Sequence, residues 1–280
     1  MPMNKTLASR ATLNSGVEMP YLGLGTYGPE RGEQVQHSIR YALECGYRLI
    51  DTAASYGNER DVGLAVAASA IPRSEIFITT KVWNADQGYD QTYRACHKSL
   101  AELELEYVDL YLIHWPVEKQ LTLETWRAMI RLREEGKCRA IGVANFTIAQ
   151  LEYLLAETAV IPAVNQVEFH PFCHPKELLD FCQEHAIQME AYSPLANGRR
   201  WDSSAIEAIA TRYCRTYAQV MLRWALQHDV VVVPKSSHEN RIKGNAVVFD
   251  FDLAPADMAA LDALNEDCRV SWYPDNWPSW

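Results

Sequence analysis

The chain has 280 residues, 48% of them hydrophobic and 22% charged, an ordinary balance for a globular protein with a sizeable core. A formal net charge of −10 with no basic stripe argues against nucleic acid as a partner, and no apolar run reaches membrane-spanning length. Seven scattered cysteines, odd in number and without paired metal-ligand spacing, read as reduced thiols. With a polar start that lacks a signal-peptide core, these features predict a cytoplasmic protein without a metal site.

In chain order, Asn14-Ser15-Gly16 between short apolar runs signals a hairpin over 13–19. The stretch from Gly23 to Gly28 then matches G-x-G-x-x-G, with Asp51 about 20 residues on, as in a dinucleotide-binding unit. Its context fails. Hardly any strand precedes Gly23, and Pro29 rather than a helix follows Gly28. Beyond it a regular alternation begins, in which helical patterning over 33–45, 59–70, 89–104 and 121–135 precedes strands over 47–51, 76–81, 108–114 and 138–145. Helices over 148–157, 175–185 and 218–228 precede strands over 163–168, 188–193 and 230–235. Counting 21–26 first gives eight βα units, which predicts an α/β fold closed into a (β/α)8 TIM barrel. No Pro/Gly-rich linker divides it, so residues 1–280 are expected to form a single domain.

A barrel of this kind carries its site at the C-terminal ends of its strands. Read in order, those ends are Tyr27, Asp51, Lys81, His114, Asn145, Gln166, Tyr192 and Lys235. One strand-terminal Asp, Lys or His alone is most simply a cap, a solvated charge or a core residue. At consecutive strand ends, together with Tyr56, they form a site. Asp51 needs a partner because an unpaired buried carboxylate is very costly, and Lys81 can supply it. A tyrosine has an ordinary pKa of about 10, and an adjacent ammonium eases its proton donation. His114 can orient a substrate oxygen. This set suits protonation of an alkoxide formed as hydride reaches a carbonyl carbon, with the hydride supplied by a cofactor.

Asp51-Thr52-Ala53 with Tyr56, Asn58 and Glu59, Thr80-Lys81 with Trp83, and Leu112-Ile113-His114-Trp115-Pro116 resemble the aldo-keto reductase family, over nearly the whole span from Met19 to Asp252. The resemblance implies NADPH-dependent reduction of aldehydes or ketones, with Tyr56 as acid/base, Asp51 and Lys81 as tuning pair and His114 as orienter. It implies that Asn145 and Gln166 hold the nicotinamide carboxamide and that Tyr192, Ser193 and Leu195 line the cofactor site. Lys235, Ser236, Arg241 and Asn245 would grip the adenosine 2′-phosphate. Two departures stand out: Ala144 replaces the family's usual serine, and Gly244 replaces an acid common near adenine. The segments 117–121 and 197–202 resemble the 2,5-diketo-gluconate reductase-like branch of bacterial and fungal members. The C-terminal tail is placed by resemblance over the barrel mouth, where Trp272 and Tyr273 would join Tyr27, Trp83 and Trp115 in an aromatic pocket. A small-molecule carbonyl substrate and a monomer are expected. Two other readings stay open: a nicotinamide-binding regulatory or structural barrel, and an aldolase using Lys81 as a Schiff-base nucleophile.

Overall fold

The computed structural model describes residues 5–271. The expected hairpin is formed by β1 (Arg10–Thr12) and β2 (Glu18–Pro20), and Gly16 takes φ 78° at the turn. Ala11, Leu13, Val17 and Met19 are buried. Asn14 donates to the carbonyls of Pro162 and Ala186, just ahead of two barrel strands. The hairpin therefore covers the N-terminal end of the barrel.

Eight parallel strands follow: β3 (Gly23–Gly25), β4 (Leu49–Asp51), β5 (Phe77–Val82), β6 (Val108–Ile113), β7 (Cys138–Ala144), β8 (Val164–Glu168), β9 (Gln188–Tyr192) and β10 (Val231–Val232). Leu22 pairs with Val232 and Gly25 with Lys235, which brings the last strand back to the first. A Cβ on Gly25 would lie 2.9 Å from the Val233 carbonyl oxygen, so the seam closes only around glycine. The misleading glycine motif thus serves barrel closure. β5 and β6 are buried along their whole length, as parallel strands covered on both faces must be.

The helices between them are α1 (Glu33–Glu44), α2 (Glu59–Ala67), α3 (Tyr89–Leu103), α4 (Lys119–Glu134), α5 (Ile148–Glu157), α6 (Lys176–Glu184), α7 (Ser204–Tyr213), α8 (Tyr217–Gln227), α9 (Glu239–Ala246) and α10 (Pro255–Asp262). On α3, Cys96, Leu100 and Leu103 recur at helical spacing and face inward. Thr147 and Gln150 form a capping box at the start of α5, and Thr216 and Gln219 repeat it at α8. Each such cap is worth about 1 kcal/mol.

Two elements differ from the sequence pattern. The last strand is expected over 230–235, but continuous strand is confined to Val231–Val232, and beyond Pro234, which has no N–H to give, only Lys235 pairs again, as an isolated bridge to Gly25. Helix α7 is an addition to the regular alternation, inserted between β9 and α8. Toward the opposite end of the barrel from its mouth, Asp109 of β6 is buried. It accepts from the Ile78 N–H (2.9 Å) and pairs with Arg73 (2.9 Å) and Arg139 (2.8 Å). Among the described residues no helix is long and apolar enough to cross a membrane.

Candidate active site

Asp51 ends β4, and the chain passes at once into a 3₁₀ turn, Ala54–Tyr56, closed by Gly57 at φ 64°. The Thr52 hydroxyl donates to Asn58 Oδ1 (2.7 Å), and Asn58 Nδ2 donates to the Thr26 carbonyl (2.9 Å). Glu59 accepts from the hydroxyls of Thr80 (2.6 Å) and Ser99 (3.2 Å), tying the start of α2 to β5 and α3. Thr52, Asn58 and Glu59 therefore fix the loop on which Tyr56 is displayed.

The Lys81 ammonium is fully buried and donates to Asp51 Oδ1 (2.7 Å), Asp51 Oδ2 (2.8 Å) and the Thr52 carbonyl (2.9 Å). Burial works against its charge, yet Asp51 and Tyr56 outweigh it and hold the lysine above its ordinary pKa. Its Nζ lies 5.2 Å from the centre of the Tyr56 ring. Burial pushes the Tyr56 phenol up to about 12, while the Lys81 charge and hydrogen bond pull it down. Lys81 thus acts in the expected direction, and desolvation outweighs it.

His114, just past β6, has Nδ1 3.4 Å from the Ser55 hydroxyl. Burial and the Lys81 charge push it well below the ordinary histidine range, so it is a neutral imidazole at physiological pH. Tyr56 and Trp83 meet its ring edge-on at 5.6 and 5.1 Å, and Tyr27 lies 5.0 Å from Tyr56.

Asn145 follows β7 in a left-handed conformation (φ 65°). Its Nδ2 donates to the His114 carbonyl (3.0 Å), and its Oδ1 accepts from the Tyr192 hydroxyl (2.8 Å). Gln166 Nε2 donates to Asp51 Oδ2 and to Glu190 Oε2, both at 2.8 Å. With both N–H bonds spent on carboxylates, its oxygen is turned away from them as an acceptor. Glu190 was not anticipated. It shares the inward side of β9 with Tyr192, and burial followed by the Asp51 charge pushes it up to about 8. A charge between Met189 and Ala191 on a buried strand, two residues before Tyr192, is the signal that could have found it.

These groups surround one cavity of about 1050 Å³. Tyr27, Asp51, Tyr56, Trp83, His114 and Trp115 line its mouth end, with Asn145, Gln166, Tyr192, Ser193 and Leu195 beyond them. Lys235, Ser236, Arg241 and Asn245 line the far end. Lys81 sits behind Asp51, out of the lining. Trp272 and Tyr273 lie outside the described residues. The tail as far as Ser271 does reach the mouth, where Glu168 accepts from the N–H groups of Val270 (2.7 Å) and Ser271 (3.3 Å). Trp201, Thr216 and Asn240 also line the cavity without having been anticipated. Trp201 lies in the irregular stretch between β9 and α7, Thr216 caps α8 and Asn240 stands in the first turn of α9, positions that no local period ties to the cavity. On the outer wall, His174, His228 and Asp262 cluster, with Asp262 accepting from Trp224 (2.7 Å) and His228 (2.8 Å).

Fold and site together define an enzyme of the barrel class that carries its chemistry at the C-terminal face. The family model described as "Aldo/keto reductase family" matches residues 21–266, and the chain belongs to that family of oxidoreductases. A glyoxal reductase of Bacillus subtilis (strain 168) is 50% identical over 98% of this chain and 99% of its own. A 9,11-endoperoxide prostaglandin H2 reductase of Trypanosoma cruzi is 45% identical over 95% of this chain and 94% of its own. A Bombyx mori aldo-keto reductase crystallised in complex with NADP superposes with a TM-score of 0.89 at 34% identity, covering 95% of this chain and 96% of its own.

Proposed function

We propose that this chain is an NADPH-dependent reductase of aldehydes and ketones, working as a single-domain monomer with Tyr56 as proton donor. The observation that carries the reading is the convergence of Asp51, Lys81, Tyr56 and His114 at one end of a cavity whose other end holds Lys235 and Arg241. The donor set fits the cofactor along its length. The Gln166 oxygen and the Asn145 amide suit a carboxamide, Tyr192 offers an aromatic face, and Lys235, Ser236 and Arg241 suit a phosphate. NADPH held there supplies the hydride.

The chain's own groups do the rest. His114, neutral and fixed by its neighbours, donates a hydrogen bond to the carbonyl oxygen and sets its direction. Tyr56 keeps its proton at neutral pH and releases it to the developing alkoxide, a far stronger base than a phenolate. Lys81, held charged by Asp51, stabilises the phenolate left behind. A Schiff-base role suits Lys81 poorly, because a buried ammonium held above its ordinary pKa by a bidentate carboxylate is a poor nucleophile. The collar of Tyr27, Trp83 and Trp115 favours apolar and aromatic carbonyls over hydrophilic sugars.

The test is NADPH oxidation against a panel of glyoxal, methylglyoxal, aromatic aldehydes, ketones and keto-sugars. Turnover of aldehydes is the expected result. NADPH binding without turnover of any member would favour a regulatory or structural barrel.

A further inference from the structure

The loop leaving β3 turns over the seam at which the barrel closes. There the Glu30 carboxylate accepts from the Lys235 ammonium, the group assigned above to a phosphate. The approach is close. A Cβ on Gly28 would fall 2.3 Å from Glu30 Oε2 and 3.1 Å from Lys235 Nζ, so the glycine leaves room for the two side-chain ends to meet in this arrangement. Neither partner is fully solvated, with side chains 15% and 34% exposed. Burial disfavours the Glu30 charge, but Lys235 and Ser237 hold the carboxyl below its ordinary range, so it is ionised at neutral pH. Arg241, across the same end of the cavity, makes no ion pair among the described residues. One of the two cations at the phosphate end is therefore already engaged by an internal anion.

We propose that Glu30 is a specificity-determining residue, a built-in competitor for Lys235 that narrows the preference for NADPH over NADH. The inference rests on the functional reading above and deepens it. A 2′-phosphate must draw Lys235 away from Glu30 or share it, and either lowers the gain from that contact. NADH carries a hydroxyl at this position and leaves the pair undisturbed. The carboxylate thus penalises only one of the two cofactors, and specificity is the difference between their affinities.

Glu30→Gln removes the competing charge from a half-exposed loop and keeps the side chain's shape. Dissociation constants for 2′,5′-ADP, ADP, NADPH and NADH, read by fluorescence, test it. The variant should bind 2′,5′-ADP and NADPH roughly two- to fivefold more tightly, the range open to a partly exposed ion pair. ADP and NADH should be unchanged, and salt should shrink the difference. Unchanged or weaker binding of 2′,5′-ADP would overturn the inference, the latter by making Glu30 an orienter of Lys235. Equal tightening of ADP would overturn it as well, by moving the effect to the pyrophosphate. Lys235→Ala separates the two levels. If it weakens 2′,5′-ADP binding while Glu30→Gln changes nothing, only the role of Glu30 fails; if it leaves 2′,5′-ADP binding intact, the phosphate assignment fails too.

Discussion

Asp109 and Asp51 are both buried carboxylates on barrel strands, and their partners separate them. Asp109 on β6 is held by two arginines and a backbone N–H. Asp51 at the end of β4 is held by a lysine and an amide, with a second carboxyl, Glu190, on the same amide. Arginine keeps its proton in any protein setting, so the Asp109 cluster has one charge state and can only fasten strands together. Lysine can shed its proton when its partner is lost, and Asp51 therefore governs the charge beside Tyr56. A pair that fastens and a pair that tunes differ less in geometry than in whether the cation can titrate.

The largest effect should come from the group that the tuning pair serves. Tyr56→Phe is expected to lower kcat by about 10²–10⁴-fold while leaving NADPH binding nearly intact. A Phe variant with wild-type kcat would move the acid role to His114 or water. Asp51→Asn comes next, with about a 10²-fold loss of kcat. Its stability loss should be modest, because Lys81 can escape an unpaired buried charge by becoming neutral. Asp109→Ala should do the reverse, costing about 3 kcal/mol in denaturant unfolding while the folded fraction keeps its kcat. If Asp109→Ala lowered kcat as far as Asp51→Asn at equal folded fraction, the division between fastening and tuning would collapse.

At the far end of the cavity, Arg241→Ala should weaken NADPH much more than NADH, and added salt should narrow the gap. Equal losses for both would remove Arg241 from the phosphate. The smallest effect is on stability at acid pH. Burial, then the charge of His228, lowers His174 from 6.5 to about 4. Between those values the unfolded chain binds the extra proton, so this contribution to stability is intact above 6.5 and declines as pH falls toward 4. His174→Gln should soften the fall in Tm over that window and leave turnover alone. An unchanged slope would assign the acid sensitivity to His114 and the carboxylates.

The barrel was legible because its alternation of helical and strand periods is long and regular. Asp51, Lys81 and His114 were legible because each interrupts or ends an apolar run. Glu190 and Glu168 were not. They too sit in or at the end of strands, but their partners, Gln166 and the backbone of 270–271, lie far away in sequence. Asn58 and Glu59 belonged to a recognised motif, yet their work of anchoring the Tyr56 loop shows only in their hydrogen bonds. The resemblance implied Ser193 and Leu195, but their cavity neighbours Pro194, Asn197 and Gly198 escaped for another reason. Ser193, Ala196 and Asn197 adopt left-handed conformations that no local preference announces.

The hairpin and the tail segment occupy opposite ends of the barrel, which gives the molecule a usable polarity. A tether attached at the exposed turn around Ser15 would leave the cavity facing solution, as immobilisation on a bead or electrode requires. One attached beside Ser271 would crowd the entrance and load the Glu168 contacts that pin it. Comparing surface-bound activity for the two attachment points would report which end of the protein its substrates enter.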